Sequence, residues 1–230
     1  METAKREMTF LLAEPERRVL TAMARRVPPG LRSNHFTALG VFAAVGTAVA
    51  YALTGRGTAW LWVASAMLAL NWLGDSLDGT LARVRNQQRP KYGYYIDHIV
   101  DAFNTAVIGI GIGLSPYVSL ELALLLVVLY LTLSINVYLE SSVFGVFKIA
   151  YGIFGPTEVR ILLILCNLLL LGGPLVWAEF ARGVSPVADA TLAVFCAGLL
   201  SLMAVRFGKN LYRLARLEPQ AFRCKPSGGQ

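Results

Sequence analysis

Long apolar runs alternate with short polar connections along most of this chain. Six runs stand out, and they cover residues 35–54, 59–80, 97–114, 117–138, 160–178 and 187–206. Each run has about 20 residues, which is enough for an α-helix to cross the hydrocarbon core of a bilayer. The pattern predicts an all-α, polytopic integral membrane protein with six transmembrane helices.

The residues before the first run predict a short helix at the cytoplasmic membrane surface. Within residues 14–32, apolar side chains such as Val19 and Leu20 alternate with arginines, which is an amphipathic pattern. An ordinary solvated, basic lead-in explains the same residues equally well. We therefore divide the chain into three parts: a cytoplasmic segment with the interfacial helix, a six-helix membrane domain and a basic cytoplasmic tail, with bounds 1–34, 35–206 and 207–230.

Composition and charge agree with a membrane location. The chain is 56% hydrophobic and 15% charged, whereas soluble domains have about 25% charged residues. Of its 21 lysines and arginines, all but Arg56 and Arg182 fall on one side of the predicted spans. The positive-inside rule then puts both termini in the cytoplasm, and we expect a bacterial inner membrane. The net charge of +7 follows from this topology and from attraction to anionic headgroups, so it requires no nucleic-acid partner.

Four of the five aspartates lie within 27 residues, at the ends of the second and third runs: Asp75, Asp78, Asp97 and Asp101. Their spacing of three or four places each pair on one helix face. The connection between the two runs is short, so we expect these helices to pack antiparallel and bring both pairs to the same cytoplasmic depth. Four carboxylates at one place repel one another unless cations lie between them. They can hold two hard divalent cations, Mg²⁺ or Mn²⁺.

A paired-metal site of this kind suits phosphoryl transfer. Arg83 adds a bidentate phosphate donor, and Gly79 and Gly93 lack a Cβ, which lets a ligand come close. Asp101 is the last and deepest of the aspartates in its helix, and this position makes it the candidate catalytic base. The alternative is that the aspartates reach toward the membrane surface or pair with nearby basic residues.

The stretch from Asp75 to Asp101 resembles the signature of the CDP-alcohol phosphatidyltransferase family. That signature reads DxxDGxxAR, eight or nine further residues, then GxxxDxxxD, and every specified position is present here. The resemblance implies that the four aspartates surround two divalent ions and that Asp101 accepts a proton. It also implies that Gly79 and Arg83 contact the CDP moiety, near Gly93, and that the protein is a homodimer.

A second stretch resembles the same family at the start of the first span. Residues 33–40 read S-N-H-F-T-A-L-G, similar to the family's P-N-x-x-T-x-x-G with Ser33 in place of proline. The resemblance makes Asn34 and Thr37 candidates for contact with the nucleotide. A role as helix N-cap accounts for Asn34 equally well.

The resemblance implies a reaction of phospholipid biosynthesis. An acceptor hydroxyl attacks the β-phosphorus of a CDP-linked alcohol, CMP leaves and a phosphodiester forms. The donor is usually CDP-diacylglycerol and the acceptor a small polar alcohol. In the choline and ethanolamine phosphotransferase branch, diacylglycerol is the acceptor instead.

The residues that choose the acceptor are less clearly marked. Residues 155–160 and the pair Asp97-His98 resemble the choline and ethanolamine branch. The region has only two basic residues, Lys148 and Arg160, which disfavours a phosphorylated acceptor. His98 is either an alternative base or a hydrogen-bonded neighbour. The candidate acceptor-pocket residues are His98, Asn136, Glu158 and Arg160.

Two other classes of protein are compatible with an acidic membrane cluster. A metal-ion transporter would use the aspartates as a translocation site, but it would have acids near mid-bilayer along a pathway rather than at one face. A non-catalytic lipid-binding homologue would have lost at least one aspartate, and none is missing.

Overall fold

The computed structural model describes residues 13–144, 156–172 and 185–218, and every regular element in these ranges is helical. This confirms the predicted all-α class for the described residues. In chain order the elements are α1 (Ala13–Arg26), α2 (Ser33–Leu53), a short 3₁₀ helix (Thr54–Arg56), α3 (Ala59–Val84), α4 (Pro90–Gly113), α5 (Leu120–Phe144), α6 (Pro156–Leu171) and α7 (Pro186–Leu217).

Four of the helical segments are long and apolar enough to cross a membrane: Ser33–Arg56, Pro90–Gly113, Leu120–Phe144 and Pro186–Leu217. The length and apolar composition of these segments indicate that the chain is a membrane protein. Helix α3 is less apolar because Asn71 and two aspartates interrupt it, and α6 has only 16 residues. The spans predicted at 59–80 and 160–178 therefore stay predictions, and residues 173–178 lie outside the described part of the chain.

Helices α4 and α7 extend furthest beyond the predicted runs. Helix α4 begins at Pro90 rather than at residue 97, because proline at the first helical position loses no intrahelical hydrogen bond. Helix α7 continues to Leu217, into the segment assigned to the tail. Arg206, the last residue of the predicted span, and Asn210 on the extension donate to Glu140 of α5 at 2.7 and 2.6 Å, and these contacts hold the extended helix against its neighbour.

Helix α1 packs its apolar face on α3. Leu20 and Ala24 are buried against Leu77 and Leu81, while the arginines of α1 are exposed. The predicted helix is therefore present, and protein covers part of its apolar face. Its location at the membrane surface stays a prediction.

Helix α2 is the centre of the bundle and packs closely against both α3 and α4. Gly40 of α2 lies so near Gly74 of α3 that a Cβ on Gly74 would overlap the backbone of Gly40, and Gly111 of α4 meets Ala48 in the same way. Small residues of this kind let membrane helices approach closely. The predicted direct packing of α3 on α4 is wrong: the two helices make few close contacts with each other. Both helices pack on α2 instead, and the aspartates of the two helices repel one another.

Helix α6 is tied to the bundle by buried polar side chains. Asn167 accepts a hydrogen bond from the Tyr51 hydroxyl of α2 and donates one to Ser65 of α3, each at 3.0 Å. Both partners of each bond are buried, as interhelical hydrogen bonds in membranes often are. These bonds fix the height of α6 against α3 and so determine where its first turn meets the aspartates.

Candidate active site

Asp78 is held by the first turns of α2. The Thr37 hydroxyl donates a hydrogen bond of 2.6 Å to Oδ2 of Asp78, and Ser33 Oγ donates to its backbone oxygen at 2.9 Å. The backbone N–H of Gly79 donates to Oδ1 of the same carboxylate. Thr37, expected to face the nucleotide, thus contacts an aspartate of the motif. The close Gly40 contact on α2 makes this approach possible.

Asp75 forms an ion pair with α6. Arg160 Nη2 donates to Asp75 Oδ2 at 2.8 Å, and Arg160 Nε donates to Asn71 Oδ1 at 2.9 Å. The Asn71 amide in turn donates to the Gly40 carbonyl oxygen at 2.8 Å and is fully buried. The guanidinium of Arg160 is therefore fixed at the aspartates by two side chains of α3. Arg160, one of the acceptor-pocket candidates, thus pairs directly with a carboxylate of the motif.

Asp97 is followed by a histidine that packs between aromatic rings. His98 Nδ1 lies 2.7 Å from the Tyr94 carbonyl oxygen and 3.8 Å from Asp97 Oδ2. A carbonyl oxygen only accepts, so Nδ1 bears the proton in this contact. The His98 ring centroid lies 4.1 Å from that of Tyr94 and 4.5 Å from that of Tyr138 of α5. This environment supports the interpretation of His98 as a hydrogen-bonded neighbour of the site.

Asp101 lies within electrostatic range of the three other motif aspartates and of Arg160. The carboxylates of α3 and α4 therefore converge at one end of the bundle, although the two helices do not pack tightly on each other. Four carboxylates in mutual range concentrate negative charge at this place. Such a place attracts a cation or a cationic group.

The chemistry of this donor set fits Mg²⁺ or Mn²⁺, which prefer carboxylate oxygens. In residues 13–144, 156–172 and 185–218, however, no three His, Cys, Asp or Glu side chains are gathered into a ready-made metal cluster. Asp75 is turned to Arg160 and Asp78 to Thr37. Binding of two cations by all four aspartates would require these side chains to exchange partners.

Asn34 bridges α2 and α4. Its amide donates to the Tyr92 hydroxyl at 3.1 Å. Helix α2 begins at Ser33 with Arg32 as its N-cap, so the alternative role of Asn34 as N-cap is wrong. The bond draws the start of α4 toward the start of α2, beside Gly93.

The two motif glycines both leave open space. A Cβ on Gly79 would meet only the Arg83 guanidinium at 3.8 Å, and a Cβ on Gly93 would meet nothing within 4 Å. Arg83 Nη2 donates to Thr80 at 3.0 Å. It also lines an open groove of about 600 Å³ between α1 and α3, together with Arg17, Arg18 and Arg25. The surface near Gly79 is thus accessible and basic, as a phosphate contact requires.

The two remaining acceptor-pocket candidates differ in their surroundings. Asn136 donates to Glu140 at 2.9 Å, so it belongs to the polar contacts that join α5 to α7. Glu158 is partly exposed on the first turn of α6, ahead of Arg160. Of the four candidates, Arg160 and His98 therefore have contacts that link them to the motif aspartates.

Sequence reasoning missed several residues that shape the site. No motif in the sequence marks Asn71, although it accepts a hydrogen bond from Arg160. Tyr92 and Tyr138 carried no signal, because single aromatic residues are common at membrane interfaces. Ser33 was noted for replacing a proline, and the structure shows that its hydroxyl bonds the Asp78 backbone.

A sequence model of the CDP-alcohol phosphatidyltransferase family matches residues 31–205, which is most of the chain and contains both motif helices. The chain belongs to this family. Its members are transferases that use CDP-alcohols in phospholipid biosynthesis and generally depend on divalent cations. No curated protein sequence matches the chain.

Proposed function

We propose that this protein transfers a phosphatidyl or other substituted phosphoryl group from a CDP-linked alcohol, CDP-diacylglycerol in the first instance, to an acceptor hydroxyl. The acceptor oxygen forms a bond to the β-phosphorus, and the bond from that phosphorus to CMP breaks. The acceptor's proton passes to a carboxylate, and CMP leaves. The observation that supports this best is the convergence of the four motif aspartates in a chain of this family.

Each part of the motif has a role in the proposed reaction. Asp101 accepts the proton, since it lies deepest and keeps its carboxylate within range of the other three. Gly79, Gly93 and Arg83 admit and bind the diphosphate, and Asn34 and Thr37 shape the site on the α2 side. Two divalent cations held by the four aspartates, Mg²⁺ or Mn²⁺, would supply charge neutralisation for the diphosphate when bound.

The acceptor in this proposal is an uncharged alcohol, either a small polar alcohol or diacylglycerol. Arg160 supports this choice because its Nε and Nη2 already donate to Asn71 and Asp75, which leaves fewer of its five N–H groups for a phosphorylated acceptor. His98, Asn136 and Glu158 complete the list of candidate acceptor contacts. The resemblance to the choline and ethanolamine branch, in which diacylglycerol is the acceptor, is part of the same proposal.

The proposed setting is a homodimer in a bacterial inner membrane with termini and active site in the cytoplasm. The distribution of basic residues supports the orientation, and the dimer rests on family resemblance. Membrane lipids and the CDP-linked donor are the expected partners, and nucleic acid is not among them.

The test is CMP release from labelled CDP-diacylglycerol by purified protein with Mg²⁺ or Mn²⁺ and a panel of alcohols. Removing a general base costs about 10²–10⁴-fold in rate, so Asp101→Asn should abolish measurable turnover while nucleotide still binds. Asp189→Asn is the matched control, because Asp189 on α7 bonds the Ser119 backbone at 2.8 Å, apart from the motif. Continued turnover by Asp101→Asn would remove this residue from its role.

The same preparation distinguishes the two other classes. A metal-ion transporter would move Mg²⁺ or Mn²⁺ into vesicles without releasing CMP. A non-catalytic homologue would bind the CDP-lipid and leave it intact with every acceptor. The product formed from the panel identifies the acceptor.

A further inference from the structure

The Glu16 carboxylate on α1 accepts hydrogen bonds from side chains of two other helices. Glu16 Oε1 accepts a hydrogen bond from the Trp72 indole N–H at 2.7 Å and from Ser76 Oγ at 3.1 Å. The Thr157 hydroxyl lies 3.0 Å from Oε1 and 3.2 Å from Oε2 of the same residue. Glu16 therefore joins α1 to both α3 and α6.

The partners of Glu16 differ from those of its nearest acidic neighbour. Glu14, two residues earlier and therefore on a different side of α1, pairs with Arg17 at 3.1 Å with both side chains largely in solvent. Glu16 is partly buried and its three bonds are to neutral donors on other helices. Hydrogen bonds to an ionised acceptor are shorter and stronger than neutral ones. The apolar contacts of Leu20 and Ala24 already dock α1 on α3. The Glu16 contacts additionally orient α1 relative to α3 and α6.

The donors to Glu16 lie next to the aspartate site. Ser76 directly follows Asp75 on α3, and Thr157 stands three residues before Arg160 on α6, which is one helical turn. Arg160 in turn bonds Asp75 at 2.8 Å. Glu16 thus fixes the start of α6 against the same part of α3 that Arg160 reaches.

Helix α6 is fastened to α3 at several heights, one of which is the pair of bonds from Arg160 to Asp75 and Asn71. Asn167 bonds Ser65 toward the far end, and Thr157 is linked through Glu16 at the aspartate end. A helix held at one point can tilt about it, whereas one held at two points keeps its first turn in place. The attachment nearest the start of α6, at Thr157, is supplied by Glu16, which precedes the region matched to the family, 31–205.

We propose that Glu16 is a positioning residue: through Thr157 it holds the first turn of α6, and hence Arg160, in register with Asp75, so that α1 is part of the acceptor side of the active site. The inference rests on the proposed function. It assigns to the N-terminal helix a role in catalysis in addition to its predicted contact with the membrane surface.

The test compares Glu16→Ala and Glu16→Gln with Glu14→Ala, a control on the same helix. A small misplacement of an active-site group costs up to about 100-fold in rate, so we expect Glu16→Ala to raise the KM for the acceptor about 10-fold or more and to leave the KM for the CDP donor unchanged. Glu16→Gln should stay near the unmodified protein, because its amide oxygen still accepts from the same donors. Glu14→Ala should change neither constant.

Thr157→Val tests the α6 side of the contact. It should reproduce part of the rise in acceptor KM, and adding it to Glu16→Ala should have little further effect because both remove the same link. Equal changes in both KM values, a loss of kcat alone, or a Glu16→Gln variant as impaired as Glu16→Ala would each overturn the positioning role.

A second readout separates failure of this inference from failure of the proposed function. Trypsin cuts after the arginines of α1, and an undocked helix is cut faster, so Glu16→Ala should be cleaved there faster than Glu14→Ala. If the unmodified protein releases no CMP with any acceptor, the proposed function fails and, with it, the catalytic role of Glu16. If it does release CMP while Glu16→Ala matches Glu14→Ala in kinetics and cleavage, only the inference about Glu16 fails.

Discussion

Replacing Arg160 by methionine should destabilise the protein strongly and selectively in the absence of divalent cations. Methionine keeps much of the length and apolar volume of arginine but lacks its charge and donors. The substitution leaves the Asp75 carboxylate and the Asn71 amide oxygen without the donors they have in the structure. The consequence is a negative charge held near three other carboxylates with nothing to compensate it.

The size of the effect follows from burial. The side chains of Arg160 and Asp75 are 12% and 18% exposed, and removing one partner of a buried ion pair costs about 3–5 kcal/mol. Residual exposure favours the lower end, about 3 kcal/mol. For a chain of this size each kcal/mol shifts the Tm by about 2–4 °C, so we expect a fall of about 6–12 °C.

The assay is thermal unfolding of purified protein in detergent, with EDTA or with excess Mg²⁺. A cation that binds the folded state at 100 times its Kd contributes about 2.7 kcal/mol, and the freed Asp75 should make Arg160→Met gain more from Mg²⁺ than the unmodified protein does. Asp75→Asn combined with Arg160→Met should be less destabilised in EDTA than Arg160→Met alone, because no unpaired charge remains.

Two results would refute this reasoning. If the double variant and Arg160→Met lose the same stability in EDTA, the loss does not come from an unpaired charge on Asp75. If Mg²⁺ stabilises both proteins equally, Asp75 does not exchange its arginine for a cation, and the two-metal proposal loses one of its ligands.

The remaining predictions concern the motif glycines and Thr37. Gly79→Ala should keep the Tm, because a methyl there meets no packed atom closer than 3.8 Å, yet weaken binding of CDP-diacylglycerol in a calorimetric titration; unchanged binding would place the donor elsewhere. Gly74→Ala should instead lower the folded yield, since its Cβ would overlap the α2 backbone, and a stable variant would contradict that packing. Thr37→Val removes the 2.6 Å bond to Asp78 and should lower the free energy of unfolding by about 1.5–3 kcal/mol. It should also raise the Mg²⁺ concentration required for CMP release. A stability change below about 0.5 kcal/mol would show that water replaces the bond.

The motif residues illustrate how far sequence reasoning reaches. The spacing of Asp75, Asp78, Asp97 and Asp101 predicted that the aspartates share one site, and the structure brings them within electrostatic range. Helical periodicity is local, so it is readable from spacing alone. The predicted direct packing of α3 on α4 was wrong because packing depends on which surfaces allow close approach, and Gly40, Gly74 and Gly111 direct both helices to α2.

The polar partners of the site lay beyond sequence reasoning. Arg160 was a candidate for the acceptor pocket, but its bond to Asp75 joins residues 85 positions apart. The role of Asn34 was open between a nucleotide contact and a helix N-cap, and its hydroxyl partner Tyr92 comes from another helix. Such contacts depend on the relative height and rotation of whole helices, which no local pattern encodes.

The sequence by itself determined that this chain is helical, that it has apolar segments suited to a membrane, and that its four motif aspartates lie in pairs on two consecutive helices. Apolar run length, basic-residue placement and motif spacing are each properties of a few neighbouring residues. Only the tertiary structure decided that α2 separates the two acidic helices, that Arg160 neutralises Asp75, and that Glu16 joins the N-terminal helix to α3 and α6. These depend on close packing at glycines and on hydrogen bonds between distant residues, which exist only once the helices have taken their places.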